Sequence, residues 1–185
     1  MPRILCAIGL AVWPSGGNFA QQPAAPAPSG ARILLLPRKL VTGERSTLAV
    51  LDVNGRLTPG VNIVLSDGDK VTTDTTGRAM FVPPLTPGTL YASIDGHSGR
   101  VSATVLTPAE APSGTLVVDL APRVASLSDR FELVGHGFCG DADANRVTIG
   151  NSAALVLASS PAHLAILPPV DLNPGPAQVQ VSCGE

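Results

Sequence analysis

The chain has 185 residues, 44% of them hydrophobic but only 3% aromatic, and its 19 Gly and 18 Pro make up about a fifth of it. That composition excludes a low-complexity polymer and leaves room for one large core or two small ones, built from Val, Leu, Ile and Ala. A formal net charge of −2, with no basic run longer than Arg38-Lys39, excludes a nucleic-acid or anionic-membrane surface.

Residues 1–20 have the order of an export signal. Arg3 gives a positive start, residues 4–13 (ILCAIGLAVW) are apolar, and residues 14–20 (PSGGNFA) break the run and end on a small side chain. Ten apolar residues are too few to span a bilayer and suit the core of a signal peptide. Cleavage is expected after Ala20, although Asn18 is larger than usual for its place two residues upstream. Cys6 stands too early in the run to be a lipidated cysteine. Removing the leader leaves Cys139 and Cys183, an even pair suited to an oxidising compartment. The mature chain, with no membrane-spanning segment left in it, is expected in the periplasm, on the cell surface or in the medium. Residues 21–31 follow as a Pro/Ala-rich linker without periodicity.

Residues 32–107 read as a first domain of about seven short strands. Residues 33–36 and 47–53 are apolar runs, the second ending at Asn54-Gly55, a two-residue hairpin signal. Val61, Ile63 and Leu65 alternate before the Asp67-Gly68 turn, and residues 71–73 lead into Asp74-Thr75-Thr76-Gly77. In Thr73 to Phe81, Asp74 is placed to cap the turn, Gly77 to take the left-handed position, and Ala79 and Phe81 to re-enter a core. Leu90, Ala92 and Ile94, then Val101, Ala103 and Val105, complete the alternation around Asp95-Gly96. The stretch from Thr73 to Phe81 resembles the T-D-x-x-G-x-A-x-F hairpin of bacterial immunoglobulin-like domains of the invasin and carboxypeptidase-regulatory kind.

Residues 108–115 are a short hinge, so the two domains are expected to touch or to move little. Residues 116–185 form the second domain. Phe131 to Val134 alternate into Gly135-His136-Gly137-Phe138-Cys139, a polar turn follows, and Asn145, Val147 and Ile149 restart the alternation. With residues 160–168 and 174–181 as later strands, this part resembles an IPT/TIG domain, whose signature f-x-l-x-G-x-G-F is followed by N-x-V-x-I/F-G. His136 stands where a small polar residue is commoner, and the lead-in before Phe131 is short. Independently of the resemblance, Ala177, Val179, Val181 and Cys183 share one parity, which puts Cys183 on the apolar side of a strand, and Cys139 follows the core aromatic Phe138. A Cys139–Cys183 disulfide is therefore expected. The resulting fold class is all-β, two tandem immunoglobulin-like β-sandwiches after a signal peptide.

No catalytic, cofactor or metal set emerges. His97, His136 and His163 have no spacing that aims two imidazoles at one metal, and they read as turn or surface residues. Gly96-His97-Ser98-Gly99 lacks the fifth residue and the helix of a nucleophile elbow, and Asp95, His97 and Ser98, being sequence neighbours, do not make a triad. Asp67 and Asp69 with Asp74, and Asp141 with Asp143, are the carboxylate clusters, neither with EF-hand spacing; a calcium site there stays open, to be decided by thermal shift. Sugar stacking lacks aromatics, since Trp13 lies in the leader and Tyr91 is the one Tyr. The expectation is an exported, non-enzymatic structural or protein-interaction module, with a protein or envelope component as partner. The alternative is an accessory piece of an extracellular polysaccharide-acting or ligand-binding system.

Overall fold

A computed structural model of the protein describes residues 30–111 and 114–184. The leader, its Cys6 and Trp13, most of the Pro/Ala linker, and Pro112-Ser113 of the hinge lie outside the described residues. Everything regular among the described residues is β-strand, in fourteen segments.

The first half contains β1 (Ile33–Leu35), β2 (Lys39–Val41), β3 (Ser46–Leu51), β4 (Asn62–Leu65), β5 (Lys70–Thr72), β6 (Arg78–Phe81), β7 (Gly88–Ile94) and β8 (Arg100–Leu106). One sheet runs β1-β3-β6 and the facing one β2-β8-β7-β4-β5, with β2 and β8 the only parallel pair among them. Period-two alternation turns Leu48 and Val50, Ile63 and Leu65, Leu90 and Ala92, and Ala103 and Val105 into one buried cluster between the sheets. The turn at Asn54-Gly55 forms, with Asp52 Oδ1 accepting from the Asn54 and Arg56 amides, but beyond it only the bridge Leu51↔Leu57 pairs. Pro59 interrupts a ladder there, and the chain crosses to the other sheet as β4.

The second half contains β9 (Val117–Leu120), β10 (Phe131–His136), β11 (Asn145–Ile149), β12 (Ser152–Ser160), β13 (His163–Leu167) and β14 (Val179–Cys183). The long β12 serves both sheets. Its start pairs with β11, which pairs with β14; its remainder pairs with β13, followed by β10 and β9. Leu133, Phe138, Val147, Val156, Leu164 and Ile166 fill the space between. Both halves are immunoglobulin-like sandwiches, antiparallel except for the β2–β8 pair.

Three strands were not foreseen from the sequence. Two are β2, which has a charged entry and only three residues, and β9, whose residues are all exposed. The third is β12, the longest strand among the described residues. Its sequence SAALVLASS does not alternate because its last five residues are all buried. A register shift between Val156 and Ala158 leaves Leu157 and Ala158 both facing away from their own core. They meet Leu35, Ala49 and Leu51 of the first half in a separate apolar cluster, which also takes in Ala165. Correspondingly β3 is buried at every position, one parity toward its own core and the other toward the second half. The connector adds to the contact, since Ala111 is buried against Val41 and Ala162.

Candidate functional site

The hairpin of the first half takes the form its residues dictate. Asp74 Oδ1 accepts from the Thr76 amide (2.7 Å), the Thr76 hydroxyl (2.6 Å) and the Arg78 amide (3.3 Å). The Thr76 hydroxyl is the main reason its carboxyl is held below the ordinary carboxylate value. Gly77 has φ +79°, and a Cβ there would come 2.6 Å from the Thr58 backbone nitrogen, so only glycine fits. Ala79 and Phe81 are buried in the core. Thr73 is buried too, its hydroxyl donating to Thr58 O (2.8 Å) and accepting from the Val61 amide (2.9 Å).

In the second half Cys139 and Cys183 form a disulfide with Cα atoms 5.4 Å apart. Cys183 keeps the expected parity, but it lies at the exposed end of β14 and is not in the core. Phe138 is buried in the core between the sheets. Gly135 lets β9 approach, because a Cβ on it would overlap the Val117 carbonyl oxygen. Gly137 has φ +76° beneath Leu116. Asn145 organises the loop that holds the first cysteine. Its Oδ1 accepts from the Cys139 amide (3.0 Å), and its Nδ2 donates to Cys139 O, Asp141 O and Ser159 Oγ. Ser159 Oγ also donates to Cys139 O. Val147 and Ile149 are buried on the same strand as Asn145.

The polar groups that sequence reasoning missed gather where the halves meet. Arg78, which the sequence does not single out, is 6% exposed. Its Nη2 donates to Val156 O (2.6 Å), its Nε to Leu157 O (3.3 Å), and its Nη1 pairs with Asp143 Oδ1 (3.1 Å). Thr47 Oγ1 donates to Gly140 O (2.8 Å) and accepts from the Ala142 amide (3.2 Å). Ser160 Oγ donates to Lys39 O (2.5 Å).

His163 corrects the reading of the histidines as surface or turn residues: it is 1% exposed. Neither ring nitrogen has a hydrogen-bond partner, and Nε2 stands 3.5 Å from Glu132 Oε2. Burial pushes its pKa down, against the pull of the Glu132 carboxylate, which Arg38 Nε engages at 2.9 Å. The sequence carries no mark of this trio, because its members come from three separate strands or loops.

The remaining candidates do not converge. His97 is exposed in a turn, its amide donating to Ile94 O. His136 is half-buried and faces Asp119, 3.5 Å away. Asp67 and Asp141 each accept from the amide two residues on, as turn residues do. Among the described residues no three His, Cys, Asp or Glu side chains group together. Tyr91 carries the Arg100 guanidinium over its ring at 4.6 Å. Also among the described residues, no helix is long and apolar enough to cross a membrane.

No protein-family model matches the chain, and no curated protein matches it. Solved structures do. Domains 5–6 of the S-layer protein SbsC are 12% identical, with 83% of this chain and 92% of that one covered and a TM-score of 0.30. SGBP-B of the Bacteroides ovatus mixed-linkage glucan utilization locus, solved in complex with a mixed-linkage heptasaccharide, is 16% identical over 87% of this chain and 43% of that one, TM-score 0.26. The D1–D4 fragment of ICAM-5 is 17% identical over 85% and 46%, TM-score 0.27. These superpositions are loose, and the fold assignment rests on the strands and their pairing.

Proposed function

We propose that this chain is an exported, non-enzymatic module of the cell envelope or exterior, which uses two units, residues 32–107 and 116–185, to hold or space protein partners. The observation that carries the reading is the Cys139–Cys183 disulfide, a bond that persists in oxidising compartments. It agrees with the export-signal order of residues 1–20, whose removal leaves those two cysteines and no third. The resemblance of residues 131–150 to the IPT/TIG signature supports an architectural role, and the buried seam suits a spacer that keeps a fixed angle.

The test is to express the full chain in a bacterium, fractionate the cells and weigh the intact protein. A product outside the cytoplasm, shortened by the leader and lacking two thiol protons, is the expected result. A full-length cytosolic product with free thiols overturns the reading.

A further inference from the structure

One titratable side chain is sealed inside the seam between the halves. Along β13, Leu164 and Ile166 enter the core of the second sandwich, while Ala165 and Leu167 join the apolar cluster shared with the first. Alternation therefore turns His163 toward the first half, where it is 1% exposed and both ring nitrogens lack a hydrogen-bond partner. Strand β2 and its lead-in lie over this spot. Ser160 Oγ, from the residue opposite His163 on β12, donates to Lys39 O; Arg38 Nε meets Glu132 at 2.9 Å; and Val41 packs with Ala162.

The charges around the ring are divided between the two bodies. Among the described residues, those that face it are Glu132 on β10 and, from the first half, Arg38 and Lys39; β12 brings the neutral Ser160. Glu132 Oε2, 3.5 Å from Nε2, sits on the strand paired with β13 and moves with His163. Arg38 and Lys39 move with the other sandwich. In the closed seam a proton on His163 would have no water around it, two cations repelling it, and a carboxylate that Arg38 already engages. Separating the halves returns water to the ring, takes both cations away and leaves Glu132 to the imidazolium. Opening thus removes each cost of the proton and keeps its one attraction. By linkage, a proton held more tightly in the open form favours the open form when it binds.

From this division we infer that the joint between the sandwiches is proton-operated: uptake of one proton by His163 opens the seam while both sandwiches stay folded. Burial is the main reason the closed seam holds the His163 pKa below 6.5, and the pull of Glu132 upward is the next largest influence. Opening relieves the first and retains the second, so the open form binds the proton at a higher pH than the closed one. Between the two values the ratio of open to closed rises by about tenfold for each pH unit of fall, one proton per opening. It levels off once the closed form is protonated as well. The other two histidines stand apart, His97 in an exposed turn and His136 beside Asp119 of β9. Neutral surroundings then fix the angle of the spacer and mildly acid ones free it.

The experiment is hydroxyl-radical labelling of the full chain, read by mass spectrometry, from about pH 7.5 to about pH 5, above the range where ordinary carboxylates titrate. Leu51 and Leu157 report on the seam, and Leu48 and Leu133 on the two cores. Labelling of the seam pair is expected to rise by about tenfold on acidification while the core pair stays protected. His163→Gln keeps a polar side chain that does not titrate, and it should abolish the rise. Lys39→Glu changes an exposed side chain, so it keeps the fold even if His163→Gln does not. It replaces a repelling charge by an attracting one in the closed seam, and should cut the rise by about threefold. The proposal is overturned if the seam pair is labelled equally across the range, or if seam and core leucines rise together. It is also overturned if folded His163→Gln responds like the parent, or if Lys39→Glu leaves the rise undiminished. Labelling reports on the joint and fractionation on export, so the two readings fail separately.

Discussion

Asn145 shows how one side chain replaces secondary structure. It supplies donor and acceptor to both backbone groups of Cys139, in a loop with no ladder of its own. Asn145→Ala would leave the Cys139 amide without its acceptor, Ser159 Oγ still meeting the Cys139 carbonyl, and a loss of about 1–3 kcal/mol is expected in urea unfolding of the oxidised chain. His163 makes a different demand, because it is buried and neutral beside Glu132, Arg38 and Lys39. Its folded pKa lies below the ordinary 6.5, so between the two values the unfolded chain holds more protons. Its contribution to stability is complete above pH 6.5 and is lost as the pH falls from there through the folded value. Unfolding midpoints compared at neutral and mildly acid pH should show that loss, and His163→Gln should flatten it. Asn145 was legible as part of a signature, whereas His163 was not: a histidine opening an apolar strand looks the same whether its far face meets water or another sandwich.

At the scale of the element, the disulfide and the shared strand do most to define the second sandwich. The bond closes a loop with a sequence separation of 44, joining the turn after β10 to the end of β14. In the chain-entropy model such a loop is worth about 4 kcal/mol. Replacing both cysteines by serine is therefore expected to lower the unfolding free energy by that order, read from denaturant titration against the oxidised parent. The parity of β14 together with the place of Cys139 after Phe138 led to this bond, although Cys183 itself is exposed and not in the core. The same rule failed for β12, since period two appears only where one face is wet and the other dry. Between Val156 and Ser160 both faces are dry, and a bulge shifts the register as well.

For the whole molecule, the seam decides whether the halves behave as beads on a string or as one body. It combines an apolar cluster with an arginine that donates to two carbonyls of β12. Arg78→Met keeps most of the stem but strands those carbonyls, and the expected cost is about 1–3 kcal/mol for each left without a partner. Limited proteolysis near residues 108–115, together with small-angle scattering, should show the variant looser and more extended than the parent. Equal cleavage and an equal radius of gyration would mean that the apolar cluster and the Thr47 and Ser160 hydrogen bonds hold the halves together without Arg78.

By itself the sequence determined what depends on neighbours along the chain: alternation in the strands of the first half, the Asp74–Gly77 turn, the pair of late cysteines and the all-β class. These follow from backbone geometry and from burial on one side, both of which act within a few residues. Only the tertiary structure decided what depends on distant partners. It brought Arg78 to Asp143 across 65 residues, buried His163 against Glu132, and dried both faces of β3 and of the last five residues of β12. A second covered face erases the periodicity that marks a strand, and a buried charge looks like a surface charge until its partner folds onto it.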